Sequence, residues 1–350
     1  MGKILLLFFG FFISFTLMPA VIRIGTMFIL DKPNNRKIHK TAKPRSGGIA
    51  IYLSFLVTNF IFIVVPLNVA IPITLVFILG ILDDIYSLKA NHKLICQIFI
   101  GLITFYLGFE LNYIALGNTT IYLSYIYSMI FTVLWITAIM NAVNLIDGLD
   151  GLSSLLSIIA LTMLALVTII FRSSLQGLIL IYLGATIAFY IFNKHPSKLF
   201  LGDCGSLQLG YIISLASLDI IGQNSNVQTM GFIFLVFIPI FDTGCAIIRR
   251  SLNKKPIFSP DCKHIHHKLL AQNVSPCNSC YILGALSLIA AVAGVTTLIV
   301  SSLFITIIMA IFMLALSYVA YTPEKVILPI YYKVSVKEVA TTIEKANATD

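Results

Sequence analysis

Charge is what this sequence has least of. Only 11% of its 350 residues are Asp, Glu, Lys or Arg, against roughly 25% in an average soluble domain. A soluble globule cannot cover its surface with so little charge, and the same scarcity argues against a disordered tail or an ordinary DNA-binding module. Cysteine is sparse as well: there are six, too few in a chain of this length for a secreted disulfide scaffold. What the sequence does have is apolar residues, 59% of the total. They fall into eleven runs, each close to the roughly 20 residues that one bilayer crossing needs. Eleven crossings use about 220 residues and leave about 130 for connections. The composition therefore predicts an all-α, polytopic integral membrane protein with about 10–11 transmembrane helices.

The runs lie near 4–22, 48–66, 69–82, 94–110, 121–140, 152–171, 175–192, 205–221, 230–248, 281–300 and 302–320. Residues 1–321 then form one transmembrane domain, followed by a short tail over 322–350. The first run is too long for a signal-peptide core and no A-x-A site follows it, so it reads as an uncleaved anchor. One alternate set of connections contains Lys32, Arg36, Lys37, Lys40, Lys43, Arg45, Lys89, Lys93, Lys194, Lys198, Arg249, Arg250, Lys254, Lys255, Lys263 and Lys268, which is 16 of the 23 basic residues. Basic loops stay in the cytoplasm, so the N-terminus is expected outside and the tail inside. The same bias accounts for the formal charge of +9 without nucleic acid as a partner.

Topology does not explain the acids. Asp83, Asp84, Asp147, Asp150, Asp203, Asp242 and Asp261 all fall in or beside the cytoplasmic connections. Ionisable groups near a bilayer are costly and point to function. Acids and bases on one face suggest a site for a metal and a phosphate. Asp83 and Asp84 are adjacent, so a proton or a cation must relieve their repulsion. Asn141, Asn144, Asp147 and Asp150 recur every three residues, a spacing that a tight 3₁₀ turn keeps aligned, with Gly148 and Gly151 opening the backbone between them. Asp203 lies between Gly202 and Cys204-Gly205, at the start of an apolar run. His264, His266 and His267 hold half of the six histidines within four residues. A zinc constellation of Cys262, His264, His266, His267, Cys277 and Cys280 is the competing reading; the position of Cys277 and Cys280 beside a proline at the mouth of a helix argues against it. Near the N-terminus, Pro44-Arg45-Ser46-Gly47-Gly48 forms a corner whose backbone amides are expected to meet an anion.

Five segments, DKPNNRKIHKTAKPRSGG (31–48), LGILDD (79–84), NAVNLIDGLDGL (141–152), FLGDCGS (200–206) and PIFDTGCAIIRR...PDCKHIHH (239–267), occur in one order along the chain. Together they resemble the polyprenyl-phosphate N-acetylhexosamine-1-phosphate transferases, glycosyltransferase family 4, and within it the branch represented by WecA and TagO. The related phospho-MurNAc-pentapeptide transferase MraY normally has a different first loop and three consecutive histidines, where this chain has His264-Ile265-His266-His267.

The resemblance implies a membrane enzyme of the bacterial cytoplasmic (inner) membrane with a cytoplasmic active site. It implies transfer of N-acetylhexosamine 1-phosphate, with GlcNAc 1-phosphate as first choice, from a UDP-N-acetylamino sugar to undecaprenyl phosphate. UMP leaves, and the lipid-linked sugar begins a cell-surface polysaccharide of O-antigen, common-antigen or teichoic-acid type. The alternatives are another UDP-amino-deoxysugar or the phospho-MurNAc-pentapeptide donor; an anion transporter would instead carry paired half-repeats or charges deep in several spans. The expected cofactor is Mg²⁺, with Mn²⁺ as substitute, held by Asp203 and Asn144. Asp83, Asp84 and Asp203 carry the catalytic expectation, with Asp83 taking the proton of the lipid phosphate. Lys40, Arg45, Asn144, Asp147, Asp150, Phe200, His264, His266 and His267 are expected to bind substrate. Membrane lipid is a partner by default, and a homodimer is compatible with the resemblance.

Overall fold

The computed structural model describes residues 2–31, 42–224, 227–256, 264–300 and 303–321. The expected tail over 322–350, Lys40, Asp261 and Cys262 lie outside them. Thirteen helices account for most of the described backbone: α1 (Gly2–Phe28), α2 (Gly47–Phe62), α3 (Leu67–Tyr86), α4 (Ala90–Tyr106), α5 (Tyr125–Leu145), α6 (Leu152–Ile170), α7 (Gln176–Asn193), α8 (Asp203–Gln223), α9 (Thr229–Leu235), α10 (Phe237–Leu252), α11 (Ile265–Ala271), α12 (Pro276–Ile299) and α13 (Leu303–Tyr321). Seven of the described helices (α1, α3, α5, α6, α7, α8 and α12) are long and apolar enough to cross a membrane, or eight spans if α9 and α10 count as one. The chain is a multi-pass, all-α membrane protein. The expectation of eleven runs matches the segments one for one. However, α2 and the described part of α13 are shorter than a full span, and α4 carries Asn91, His92, Lys93 and Gln97 in its first half.

The run expected as a single crossing at 230–248 is broken. α9 and α10 meet at 88°. Pro239 sits in the first turn of α10 and has no N–H to bond the carbonyl of Leu235, so a continuous helix is interrupted there. The Asp83-Asp84 pair lies within the last turn of α3, which runs to Tyr86 rather than stopping at residue 82.

α8 is the hub. It is buried from Cys204 to Ile221 and packs against α2, α3, α5, α6 and α7. Two short antiparallel pairs complete the fold. β1 (Leu30–Asp31) pairs with β2 (Lys43–Pro44) at the end of the bundle that carries the acidic motifs. β3 (Tyr113–Leu116) and β4 (Thr119–Tyr122) form a hairpin between α4 and α5 at the opposite end, which the apolar pattern did not indicate. Gln228 fixes its tip through hydrogen bonds to both the N–H and the carbonyl of Gly117, each 2.7 Å.

Candidate active site

The site is built around the N-terminus of α8. Its first turn is wedged between α2 and α3, where a Cβ on Gly48 would lie 2.2 Å from the nitrogen of Gly205 and one on Gly80 would lie 2.2 Å from Cα of Cys204. No larger residue fits at that crossing. Gly202 caps α8 with φ of 75°, a left-handed conformation that costs a side chain energy. A Cβ there would also meet Asp84 Oδ2 at 2.7 Å. The carboxylate of Asp84 accepts the backbone N–H of Asp203 on Oδ1 (2.8 Å) and that of Cys204 on Oδ2 (2.9 Å). It satisfies two of the N–H groups that a helix start leaves unpaired and complements the positive end of the helix dipole. Asp84, expected beside Asp83 as a catalytic carboxylate, thus has both oxygens committed to positioning Asp203.

Asp83 and Asp203 lie within hydrogen-bonding reach of each other and share one cation, Lys93 from the first turn of α4. Its Nζ is 2.7 Å from Asp83 Oδ2, 3.5 Å from Asp203 Oδ1 and 3.1 Å from Asn144 Oδ1. The second oxygen of Asp83 accepts the N–H of Leu88 at 2.8 Å, so a role as base requires Lys93 to release Oδ2. Asn144 donates through Nδ2 to Asp203 Oδ1 and to Ser206 Oγ, the latter at 2.8 Å. In the sequence alone, Lys93 is indistinguishable from a topogenic charge.

The expected three-residue stripe does not stay on one face. α5 continues to Leu145, and its side chains then part company. Asn141 locks to Gln97 of α4, with Nδ2 donating to Oε1 at 2.7 Å, and has no place in the site. Asn144 joins Asp203. Asp150 turns the other way, accepting from Ser197 N–H (3.1 Å) and Ser197 Oγ (2.8 Å), with His195 Nδ1 at 3.1 Å and Lys43 Nζ at 3.5 Å. Against the upward pull of burial, these hydrogen bonds and the Lys43 charge hold the Asp150 carboxyl below its usual range. Asp147 behaves in the opposite way. Desolvation, then the negative charge of Asp203, pushes its carboxyl up to about 7, with Arg45 pulling only partly back. Lys43, which also lies over the Phe200 ring at 5.2 Å, and the His195–Ser197 connection are further site residues that spacing did not reveal.

The N-terminal corner differs from expectation. The amides of Gly47 and Gly48 do not await an anion; they donate to the carbonyls of Phe200 (3.0 Å) and Leu201 (2.9 Å). They stitch the corner to the segment that leads into α8. Arg45 is held by Asp31 at 3.0 Å and projects its charge toward Asp147 and Asp203.

The histidines follow α10. Asp242 accepts the N–H of Ile265 at 2.9 Å and lies 2.7 Å from His264 Nδ1. It thereby starts α11 and fixes the imidazole orientation, leaving Nε2 for a ligand. His266 is buried, and neither ring nitrogen has a hydrogen-bond partner among the described residues. Burial, then the neighbouring His267 and His264, holds its pKa well below the ordinary value. Its Nε2 would lie 2.6 Å from a Cβ on Gly148, so the glycine between Asp147 and Leu149 makes room for this ring. The ring of His267 lies 4.1 Å from that of His266, tilted by 36°.

Four carboxylates, those of Asp83, Asp84, Asp147 and Asp203, gather around two bases, Lys93 and Arg45. That excess fits a divalent cation. Among the described residues no three His, Cys, Asp or Glu side chains form a metal cage. Mg²⁺ takes one or two carboxylates with waters and substrate phosphate, and Asp203, with the Asn144 amide oxygen close by, fits that set.

Comparison with known proteins agrees with the geometry. The Glycosyl transferase family 4 profile matches residues 66–221, from α3 through α8. A probable undecaprenyl-phosphate N-acetylglucosaminyl 1-phosphate transferase of Bacillus subtilis (strain 168) is 36% identical over 84% of this chain and 86% of its own length. A decaprenyl-phosphate N-acetylglucosaminephosphotransferase of Mycobacterium leprae (strain TN) is 31% identical over 68% of this chain and 69% of its own. A phospho-N-acetylmuramoyl-pentapeptide-transferase of Staphylococcus carnosus (strain TM300) is 32% identical over 75% and 90%. On the strength of these matches, this protein belongs to glycosyl transferase family 4.

Proposed function

We propose that this enzyme transfers N-acetylglucosamine 1-phosphate from its UDP-sugar to undecaprenyl phosphate on the cytoplasmic face of the bacterial inner membrane, with the N-terminus outside. The observation that carries the proposal is the convergence of Asp83, Asn144, Asp203 and Lys93 at one end of the helical bundle. A lipid phosphate oxygen attacks the sugar-linked phosphorus of the donor. The anhydride bond to UMP breaks, UMP leaves, and undecaprenyl-diphospho-sugar stays in the membrane. One anhydride replaces another, so the step is near balanced.

Two polyanions must meet, so the site has to offset their repulsion and stabilise the charge of the transition state. Mg²⁺, when bound, supplies that neutralisation, and Asp203 and Asn144 are the residues that would hold it. Asp84 keeps Asp203 in place through the α8 cap. Asp83 takes the proton of the lipid phosphate, whose second pKa near 6 asks little of a base. Asp147 and Asp150 reach the nucleotide, Phe200 stacks on uracil with Lys43 beside it, and Arg45, Lys40, His264, His266 and His267 hold the diphosphate. His266, neutral and without a partner among the described residues, is suited to donate to a phosphate oxygen without a fixed charge.

The test is purified protein incubated with undecaprenyl phosphate, Mg²⁺ and a panel of UDP-sugars, following UMP release. Turnover with UDP-GlcNAc supports the reading, and turnover only with UDP-MurNAc-pentapeptide transfers the protein to the second donor. No UMP release with any donor refutes both.

A further inference from the structure

Lys93 satisfies the site in a way that the proposed chemistry does not use. An ammonium has three N–H donors, and here it meets three oxygens from three elements: Asp83 of α3 at 2.7 Å, Asn144 of α5 at 3.1 Å and Asp203 of α8 at 3.5 Å. Two of these, Asn144 Oδ1 and Asp203 Oδ1, belong to the side chains that would ligate the metal. The side chain of Lys93 is only 13% exposed, so this cation is built into the wall of the site. Its backbone is held in α4, where Gln97 one turn later locks to Asn141 of α5.

We propose that Lys93 is a resident counter-ion that occupies the metal subsite and must be displaced from Asp203 and Asn144 before a divalent cation binds there. The inference rests on the Mg²⁺ reading given above. Its physical basis is competition for the same oxygens. Mg²⁺ sits about 2.1 Å from its ligands, and a second cation against the same Asp203 oxygen would be repelled strongly in so enclosed a place. The contacts are graded to allow the exchange. Lys93 is closest to Asp83, whose side chain is 7% exposed, and farthest from Asp203, at 24% the more open carboxylate. Displaced from Asp203, Lys93 stays on Asp83 only until the lipid phosphate arrives, whose negative charge draws it off Oδ2 and frees that oxygen to act as base. The metal-free site is thereby kept from collapsing under its own negative charge, and metal affinity is held below what the oxygens alone would give.

The test measures metal binding without substrates. Mn²⁺ binding to the purified protein in detergent is followed by the loss of the free-ion electron paramagnetic resonance signal, for wild type, Lys93→Met, Asp203→Asn and the double variant. Lys93→Met is expected to bind Mn²⁺ at least about tenfold tighter, the effect of removing one like charge at contact distance, while its metal-free melting temperature falls. Asp203→Asn is expected to abolish the tight binding in both backgrounds. A lysine that merely supports the fold would leave the Kd unchanged or weaken it, and either result overturns the proposal. Wild type and Lys93→Met both lacking Asp203-dependent binding would refute the metal reading itself, and this inference with it. If Lys93→Met does not fold, Lys93→Gln, which can still donate to Asp83, is judged by the same criterion.

Discussion

Asp147 offers a direct probe of the site's electrostatics. Replacing it with asparagine keeps its shape and removes one carboxylate from a cluster that is short of positive charge. Its carboxyl is pushed from an ordinary 3.8 to about 7, by desolvation first and by Asp203 second. The folded protein therefore binds this proton more tightly than the unfolded chain does. The resulting penalty is absent below pH 3.8, grows as pH rises, and levels off above about 7. Three units at about 1.36 kcal/mol each set a ceiling of about 4 kcal/mol. Asp147 is only part-buried, so screening reduces this to about 1–2 kcal/mol. For a chain of this size that is a few degrees in melting temperature, roughly 2–4 °C per kcal/mol. Metal-free, donor-free protein should be melted in detergent at pH 5 and pH 8 at one scan rate, because thermal unfolding of such a protein is judged kinetically. Asp147→Asn should melt above wild type at pH 8 by a few degrees, with a smaller difference at pH 5. Variant and wild type losing stability in parallel between the two pH values would refute the reasoning.

Three further outcomes follow from the geometry. Asp203→Asn should lower turnover by at least about 100-fold, typical of losing a key electrostatic element, and weaken Mg²⁺-dependent donor binding. Asp83→Asn should lose turnover but keep donor binding, with a residual rate that rises with pH; an equilibrium binding assay with labelled UDP-sugar separates the two, and the reverse pattern would exchange their roles. Gly202→Ala should reduce both stability and turnover, because it strains a φ of 75° and drives a methyl into Asp84; wild-type melting and activity would show that the α8 cap does not matter. In a cysteine-free background, single cysteines at 90 and 255 should be labelled from the cytoplasm and one at 118 from outside; labelling of 255 from outside would invert the topology.

The division between sequence and tertiary structure runs along length scale. Hydrophobic composition by itself determined an all-α membrane protein, because a bilayer leaves the backbone few other ways to satisfy its polar groups. The order of the motifs determined the family, since Asp83, Asn144, Asp203 and His264 keep their chemistry whatever the helices between them do. Local pattern could not tell a continuous helix from one broken before Pro239, nor reveal the β3–β4 hairpin, because the apolar content is similar either way. Only the packing decided which charged groups act together. Lys93 and Lys43 look like topogenic lysines until α4 and β2 bring them to Asp203 and Asp150. Asp84 looks like the twin of Asp83 until α8 places two N–H groups on its oxygens. Gly47 and Gly48 look like an anion nest until the chain leading into α8 takes their amides. These roles depend on which atom approaches within hydrogen-bonding distance from more than a hundred residues away in the sequence, and no spacing along a single chain segment contains that information.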